Sequence, residues 1–223
     1  MSATKLAQPM QLLGPTPSFF DPYCFVWKTW SSVEICVQCN DATMWKQFKE
    51  VIACGLFGCT YAEINGRKDV VLKISLDHPN YEAEFQIALE MGLIGVGPRV
   101  HQQSAKTVAC RSVFDDRIYY GFIMDRMTMS LKDWFESHAR RWTSAEKRKL
   151  TFRLAEKFEK MWAAGYQHND VHAGNIMLKC MPGSDNLRLE DVFIIDFGKT
   201  TRSPSHILDD AYLRQITSKI ALS

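Results

Sequence analysis

His168-Asn169-Asp170-Val171-His172-Ala173-Gly174-Asn175, followed downstream by Ile194-Ile195-Asp196-Phe197-Gly198, decides how the rest of the chain is read. The first stretch sets a carboxylate five residues ahead of an amide, behind a long helical pattern. The second sets a carboxylate at the end of an apolar, strand-like run and follows it with Phe-Gly. Either stretch alone is a weak signal. Both in this order, behind a glycine-containing hairpin and a strand lysine, form a specific one.

Working outward, Thr143-Ser144-Ala145-Glu146 reads as a capping box opening a helix that runs to about Ala164. Leu150, Leu154, Phe158 and Met161 recur at helical spacing, and Gly165 ends the helix. Ile176–Lys179 and Val192–Ile195 read as short strands, and a last helix covers Ile207–Ile220, turning Ile207, Leu208, Leu213 and Ile216 inward. Upstream, Leu131–His138 reads as a short helix. Val51–Ile64 reads as two strands around a glycine turn, Asn65-Gly66 as a hairpin turn, and Val70–Ile74 as a buried strand. Tyr81–Gly92 is a helix. Arg99–Phe114 and Arg117–Met124 form a strand pair that turns at Asp115-Asp116. Pro9, Pro15, Pro17 and Pro22 rule out regular structure near the N-terminus, so an extended arm is expected there, packed through Phe19, Phe20 and Tyr23. Residues 25–39 read as a strand or two, and Trp45–Glu50 is equally helical or extended. A sheet followed by helices and a small hairpin is α+β in two lobes. The expected division is an arm over 1–44, a sheet lobe with one helix over 45–124, and a helical lobe over 125–223.

The chain has 223 residues, of which 46% are hydrophobic and 23% charged, which excludes a disordered or low-complexity chain. Lys and Arg number 27 against 25 acids, a net charge of +2 that gives no electrostatic case for nucleic acid. No apolar run approaches the roughly 18 residues of a membrane span. The seven cysteines are irregularly spaced, and no apolar leader follows a basic start; reduced thiols in the cytoplasm, a host cell's cytoplasm included, are expected. Cys36-Val-Gln-Cys39 is a lone C-x-x-C without a second ligand pair.

With these motifs in place, the chain resembles the protein-kinase-like family over roughly residues 48–200, in the manner of the small kinases of large DNA viruses and bacterial effectors. The resemblance implies ATP and Mg2+. Asp170 would accept the acceptor's proton, and Asn175 and Asp196 would hold the metal. Lys73 would clamp the α- and β-phosphates, with Glu84 as its partner and Glu82 as runner-up. Gly55, Phe57 and Gly58 match part of the glycine-rich loop, with Ala53 at its first glycine. Gly121–Met127 resembles the segment between lobes, with Met124 as gatekeeper and the backbone of Asp125 and Met127 at the adenine edge. Val71 and Met177 would pack on the ring.

Three departures matter. Asn169 replaces the arginine that pairs with a phosphorylated activation loop, so that control is not expected. His172 stands where protein Ser/Thr kinases carry lysine, as in aminoglycoside- and choline-kinase-like enzymes; it is kept as a catalytic candidate. The chain after Gly198 is short, which implies a truncated C-terminal lobe. The leading expectation is a protein Ser/Thr kinase, acting on an unidentified protein without activation-loop phosphorylation. The alternatives are a small-molecule kinase and a pseudokinase binding module, with the N-terminal arm as a partner surface.

Overall fold

The computed structural model describes residues 33–39, 42–54, 58–63, 68–76, 81–101, 108–111, 118–137, 142–182, 187–203 and 205–223, some strand residues by backbone alone. The arm around Phe19, Phe20 and Tyr23, the turn at Gly55 and Phe57, Asn65-Gly66 and Asp115-Asp116 lie outside them. The architecture is α+β. The described residues fall into two compact units, one drawn from Met1–Tyr81 with His101–Met124, the other from Glu82–Val100 with Asp125–Ser223.

The first unit is a sheet of β1 (Val33–Cys39), β2 (Ala42–Cys54), β3 (Gly58–Glu63), β4 (Val70–Leu76), β5 (Val108–Arg111) and β6 (Ile118–Asp125). Their order β1-β2-β3-β4-β6-β5 closes into a barrel, because β1 pairs with β2 on one side and with β5, at Cys36↔Ala109, on the other. Closure removes the free edges that an open sheet would expose. β1 and the start of β2 occupy part of the segment read as an arm. Trp45–Glu50 is strand, and its ambiguity has a cause: the β2–β3 register shifts between Phe48 and Glu50 and again between Val51 and Ala53. Each irregularity breaks the two-residue alternation by which a strand is recognised. Val70, Val71, Leu72 and Ile74 are all buried, so β4 is covered on both faces. Lys73 is the half-buried polar position within that run. Gly121 on neighbouring β6 lets the two strands approach: a Cβ there would lie 2.8 Å from the Lys73 carbonyl oxygen.

The second unit holds α1 (Tyr81–Leu93, from Glu82 onward), α2 (Leu131–Ser137), α3 (Ser144–Ala163) and α4 (Ile207–Leu222). α3 begins where its sequence says it should. Thr143 Oγ1 accepts the Glu146 N–H at 3.2 Å while Glu146 Oε2 accepts the Thr143 N–H at 2.8 Å. Such a cap is worth about 1 kcal/mol. Leu150, Leu154, Phe158 and Met161 are fully buried along one stripe, each contributing about 1.5–3 kcal/mol. Lys157 interrupts the stripe, its ammonium satisfied by the Gly95 carbonyl at 2.6 Å and Asp191 at 2.9 Å. Gly165 follows at φ 82°, a conformation that costs glycine little.

Against α3 lies a hairpin of β9 (Ile176–Pro182) and β10 (Leu187–Ile194), with β7 (Met129–Ser130) on its outer side. Both strands are longer than read. Buried Leu189 and Val192 are three residues apart, which no regular strand puts on one face; the register shift between Leu189 and Asp191 absorbs the extra residue. β8 (Tyr166–Gln167) pairs with β11 (Thr201–Arg202). Among the described residues no helix is long and apolar enough to cross a membrane. α4 corrects one expectation. Leu213 is buried and Ile216 half-buried, but Ile207 and Leu208 are 75% and 58% exposed, because Asp209 takes the inward position of the first turn.

Candidate functional site

Asp170 sits on the loop between β8 and β9, and the chain fixes that loop from three directions. His168, with no exposed surface, is the first anchor. Its Nε2 meets the Ile195 carbonyl at 2.9 Å, and its Nδ1 accepts the Asp170 N–H at 3.2 Å. Those two partners require the neutral ring carrying its proton on Nε2. Burial holds the ring below the ordinary histidine pKa, opposed by the Ile195 carbonyl and by the charges of Asp209, Asp196 and Asp170.

Asp209 is the second anchor, also without exposed surface. Its carboxylate accepts the His168 N–H at 2.7 Å and the Asn169 N–H at 3.0 Å, and the Trp162 indole N–H lies at 3.4 Å. A helix that starts after β11 thus holds the loop that carries Asp170 by its backbone. The sequence did not announce this. An acid in the first helical turn reads as a partner for the helix dipole, and nothing in Leu208-Asp209-Asp210 separates the buried acid from the exposed-side one.

The third anchor is Asn175, buried at the end of a short 3-10 turn. Its N–H donates to the His172 carbonyl at 3.0 Å, its amide Nδ2 donates to the Asp170 carbonyl at 3.0 Å, and its carbonyl accepts the Ile195 N–H. Committing the amide nitrogen to Asp170 leaves the amide oxygen as the group that a cation can use. Asp196 stands at the end of β10 with φ 66°, exposed to solvent. Aspartate tolerates this left-handed backbone better than most residues, and strain of this kind concentrates at functional sites. A carboxylate and an amide oxygen suit Mg2+, which takes few protein ligands and keeps waters.

Phe197, 3% exposed, stands edge-on to His168 with ring centroids 5.6 Å apart and closes against Gly97. A Cβ at Gly198 would lie 3.4 Å from Glu84 Oε2 and 4.0 Å from Asp196 Oδ1, so both carboxylates border this turn. Glu84 is buried while Glu82 is exposed. Lys73 belongs to the first unit and Glu84 to the second. Val71 is buried on β4, Met124 is half-buried at the end of the first unit, and Met177 is half-buried on β9. The Asp125 N–H donates to the Arg99 carbonyl at 3.0 Å. Met127 is buried. Gly58 opens β3 opposite Ser75, and Gly55 and Phe57 lie outside the described residues.

Two residues make contacts that their sequence reading did not foresee. The exposed His172 caps its own turn, its Nδ1 accepting the Gly174 N–H at 3.1 Å. Asn169, at φ 64°, sends its amide Nδ2 to the Lys199 carbonyl at 3.0 Å and Thr201 Oγ1 at 2.9 Å, with the Gln167 carbonyl at 3.3 Å. It ties the loop directly to the segment after Gly198. That segment also supplies a cation the sequence reading missed: Lys199 Nζ lies 3.1 Å from Asp170 Oδ1.

A family model described as lipopolysaccharide kinase (Kdo/WaaP) matches residues 103–216, just over half of the chain, and spans Asp170, Asn175 and Asp196. No curated protein matches the chain.

Proposed function

The chain belongs to the lipopolysaccharide kinase (Kdo/WaaP) family and is a phosphotransferase; from that premise we propose that it moves the γ-phosphoryl group of ATP to a sugar hydroxyl of a lipopolysaccharide-type acceptor. The family stands closer to a small-molecule kinase than to the protein Ser/Thr kinase that the sequence alone favoured. The observation that carries the reading is the Asp170 carboxylate, on a loop fixed by His168, Asn175 and Asp209, with Lys199 3.1 Å from one of its oxygens.

In this reading the acceptor oxygen bonds to the γ-phosphorus, the bond from that phosphorus to the bridging oxygen breaks, and ADP leaves. The acceptor's proton passes to Asp170 Oδ2. Asp196 and the Asn175 amide oxygen would hold Mg2+, which neutralises phosphate charge when bound. Lys73, on its buried strand, supplies positive charge to the α- and β-phosphates. Glu84 borders the turn that carries Asp196. Val71, Met124, Asp125, Met127 and Met177 are the proposed adenine contacts. No phosphorylation is needed to order the segment after Gly198, because the Asn169 amide already binds it.

The test gives the full chain γ-labelled ATP with magnesium and, in parallel, purified lipopolysaccharide, a kanamycin-type sugar and a generic basic protein. Label should enter the lipopolysaccharide saccharide. Label entering only the basic protein would restore the protein-kinase reading.

A further inference from the structure

We propose that Lys199 is the positioning cation of the acceptor site. The inference deepens the phosphotransfer reading and rests on it. Two observations carry it, one negative and one positive.

The negative one concerns His172. Its Nδ1 accepts the Gly174 N–H at 3.1 Å, so the ring is committed to its own turn rather than to Asp170.

The positive one concerns Lys199. Its ammonium reaches Asp170 Oδ1 at 3.1 Å, and its backbone is not free to drift. The Lys199 carbonyl accepts the Asn169 amide at 3.0 Å, and the next N–H, of Thr200, closes a 3-10 turn onto the Phe197 carbonyl at 3.0 Å. The loop that carries Asp170 thus also fixes the lysine that faces it. Holding Oδ1 fixes the plane of the carboxylate and leaves Oδ2 to take the acceptor's proton. The proton goes to Asp170, the new bond joins the acceptor oxygen to phosphorus, and Lys199 keeps its own three protons throughout. A fixed positive charge beside the oxygens that exchange the phosphoryl group stabilises the transition state more than the bound ground state.

The experiment compares the full chain with Lys199→Met, Lys199→Gln, Lys199→Arg and Asp170→Asn, using magnesium-ATP and purified lipopolysaccharide. It follows ADP release, and it reads nucleotide affinity separately with a fluorescent ATP analogue. Lys199→Met and Lys199→Gln should each lower kcat by about 10- to 100-fold, with the ATP KM and analogue affinity within about twofold of wild type. Lys199→Arg should return kcat to within about threefold of wild type. Lys199 is a surface side chain, and the Gln variant preserves polarity if Met disturbs folding. Wild-type rates in both Met and Gln variants would overturn the proposal. So would faster rates, which would make the ion pair a brake, and so would an Arg variant as slow as Met. If wild type and Asp170→Asn release ADP equally, the phosphotransfer reading itself fails, and Lys199 with it.

Discussion

Asp209→Ala removes the acceptor shared by two backbone N–H groups, of His168 and Asn169, at 2.7 and 3.0 Å. A buried donor left without a partner costs about 1–3 kcal/mol, so the pair together costs about 2–6 kcal/mol. The Asn169 end is only partly buried and water can reach it, which favours the lower half of that range, about 2–4 kcal/mol. A chain of this length loses roughly 2–4 °C of Tm per kcal/mol, so Tm should fall by about 5–15 °C. Asp209→Asn keeps one acceptor oxygen but turns an NH2 toward an N–H, and should fall between the variant and wild type. Thermal unfolding followed by circular dichroism measures both. At a temperature where both variants are folded, kcat should also drop about tenfold, because the displaced backbone carries Asp170. A Tm within 2 °C of wild type for Asp209→Ala would refute the reasoning. An unchanged kcat with a lowered Tm would reduce Asp209 to a helix anchor.

His168 is neutral when folded, and burial depresses its pKa from 6.5. The unfolded chain therefore binds a proton that the folded chain resists, and this contribution to stability, complete above about pH 6.5, is lost as pH falls, at up to about 1.4 kcal/mol per pH unit. Urea unfolding at pH 7.5 and 5.5 should show a larger loss for wild type than for His168→Gln; equal losses would count against the buried neutral ring. Gly121→Ala forces a Cβ to within 2.8 Å of the Lys73 carbonyl oxygen and should cost about 1–3 kcal/mol by overpacking, read from the urea midpoint; no cost would mean that β4 and β6 are not so close. Protein made in bacteria should keep its rate after phosphatase treatment, whereas Asn169→Ala should lower it severalfold. A tenfold fall on phosphatase treatment would show that phosphate orders the segment after Gly198.

The elements around the site were legible wherever one local signal dominated. The capping box at Thr143 and the stripe from Leu150 to Met161 marked α3, and the paired motifs singled out Asp170, Asn175 and Asp196 as candidates. Elsewhere the controlling feature was non-local. The irregular pairing along β2 and β10 disguises strands, because a bulge hides the alternation that only the partner strand reveals. Asp209 and Lys199 act across chain separations of about 30 to 40 residues, and neither residue type states its partner. His172, read as a catalytic candidate, makes a local contact that its residue type does not state: Gly174, two residues on, offers its N–H to the ring. The acceptor class was not legible because the motif set serves the chemistry at phosphorus, which acceptors of different kinds share; the family favours the small-molecule alternative over the protein acceptor expected first.

The most direct measurement is the rate of label transfer from γ-labelled ATP to purified lipopolysaccharide by the full chain and by Asp170→Asn, at equal fold content checked by circular dichroism. Loss of the proton acceptor should slow transfer by about 100-fold or more while the ATP analogue still binds. Equal transfer by both proteins would contradict a phosphotransferase built on this carboxylate, and no transfer by the wild type under conditions where it binds ATP would contradict the lipopolysaccharide acceptor.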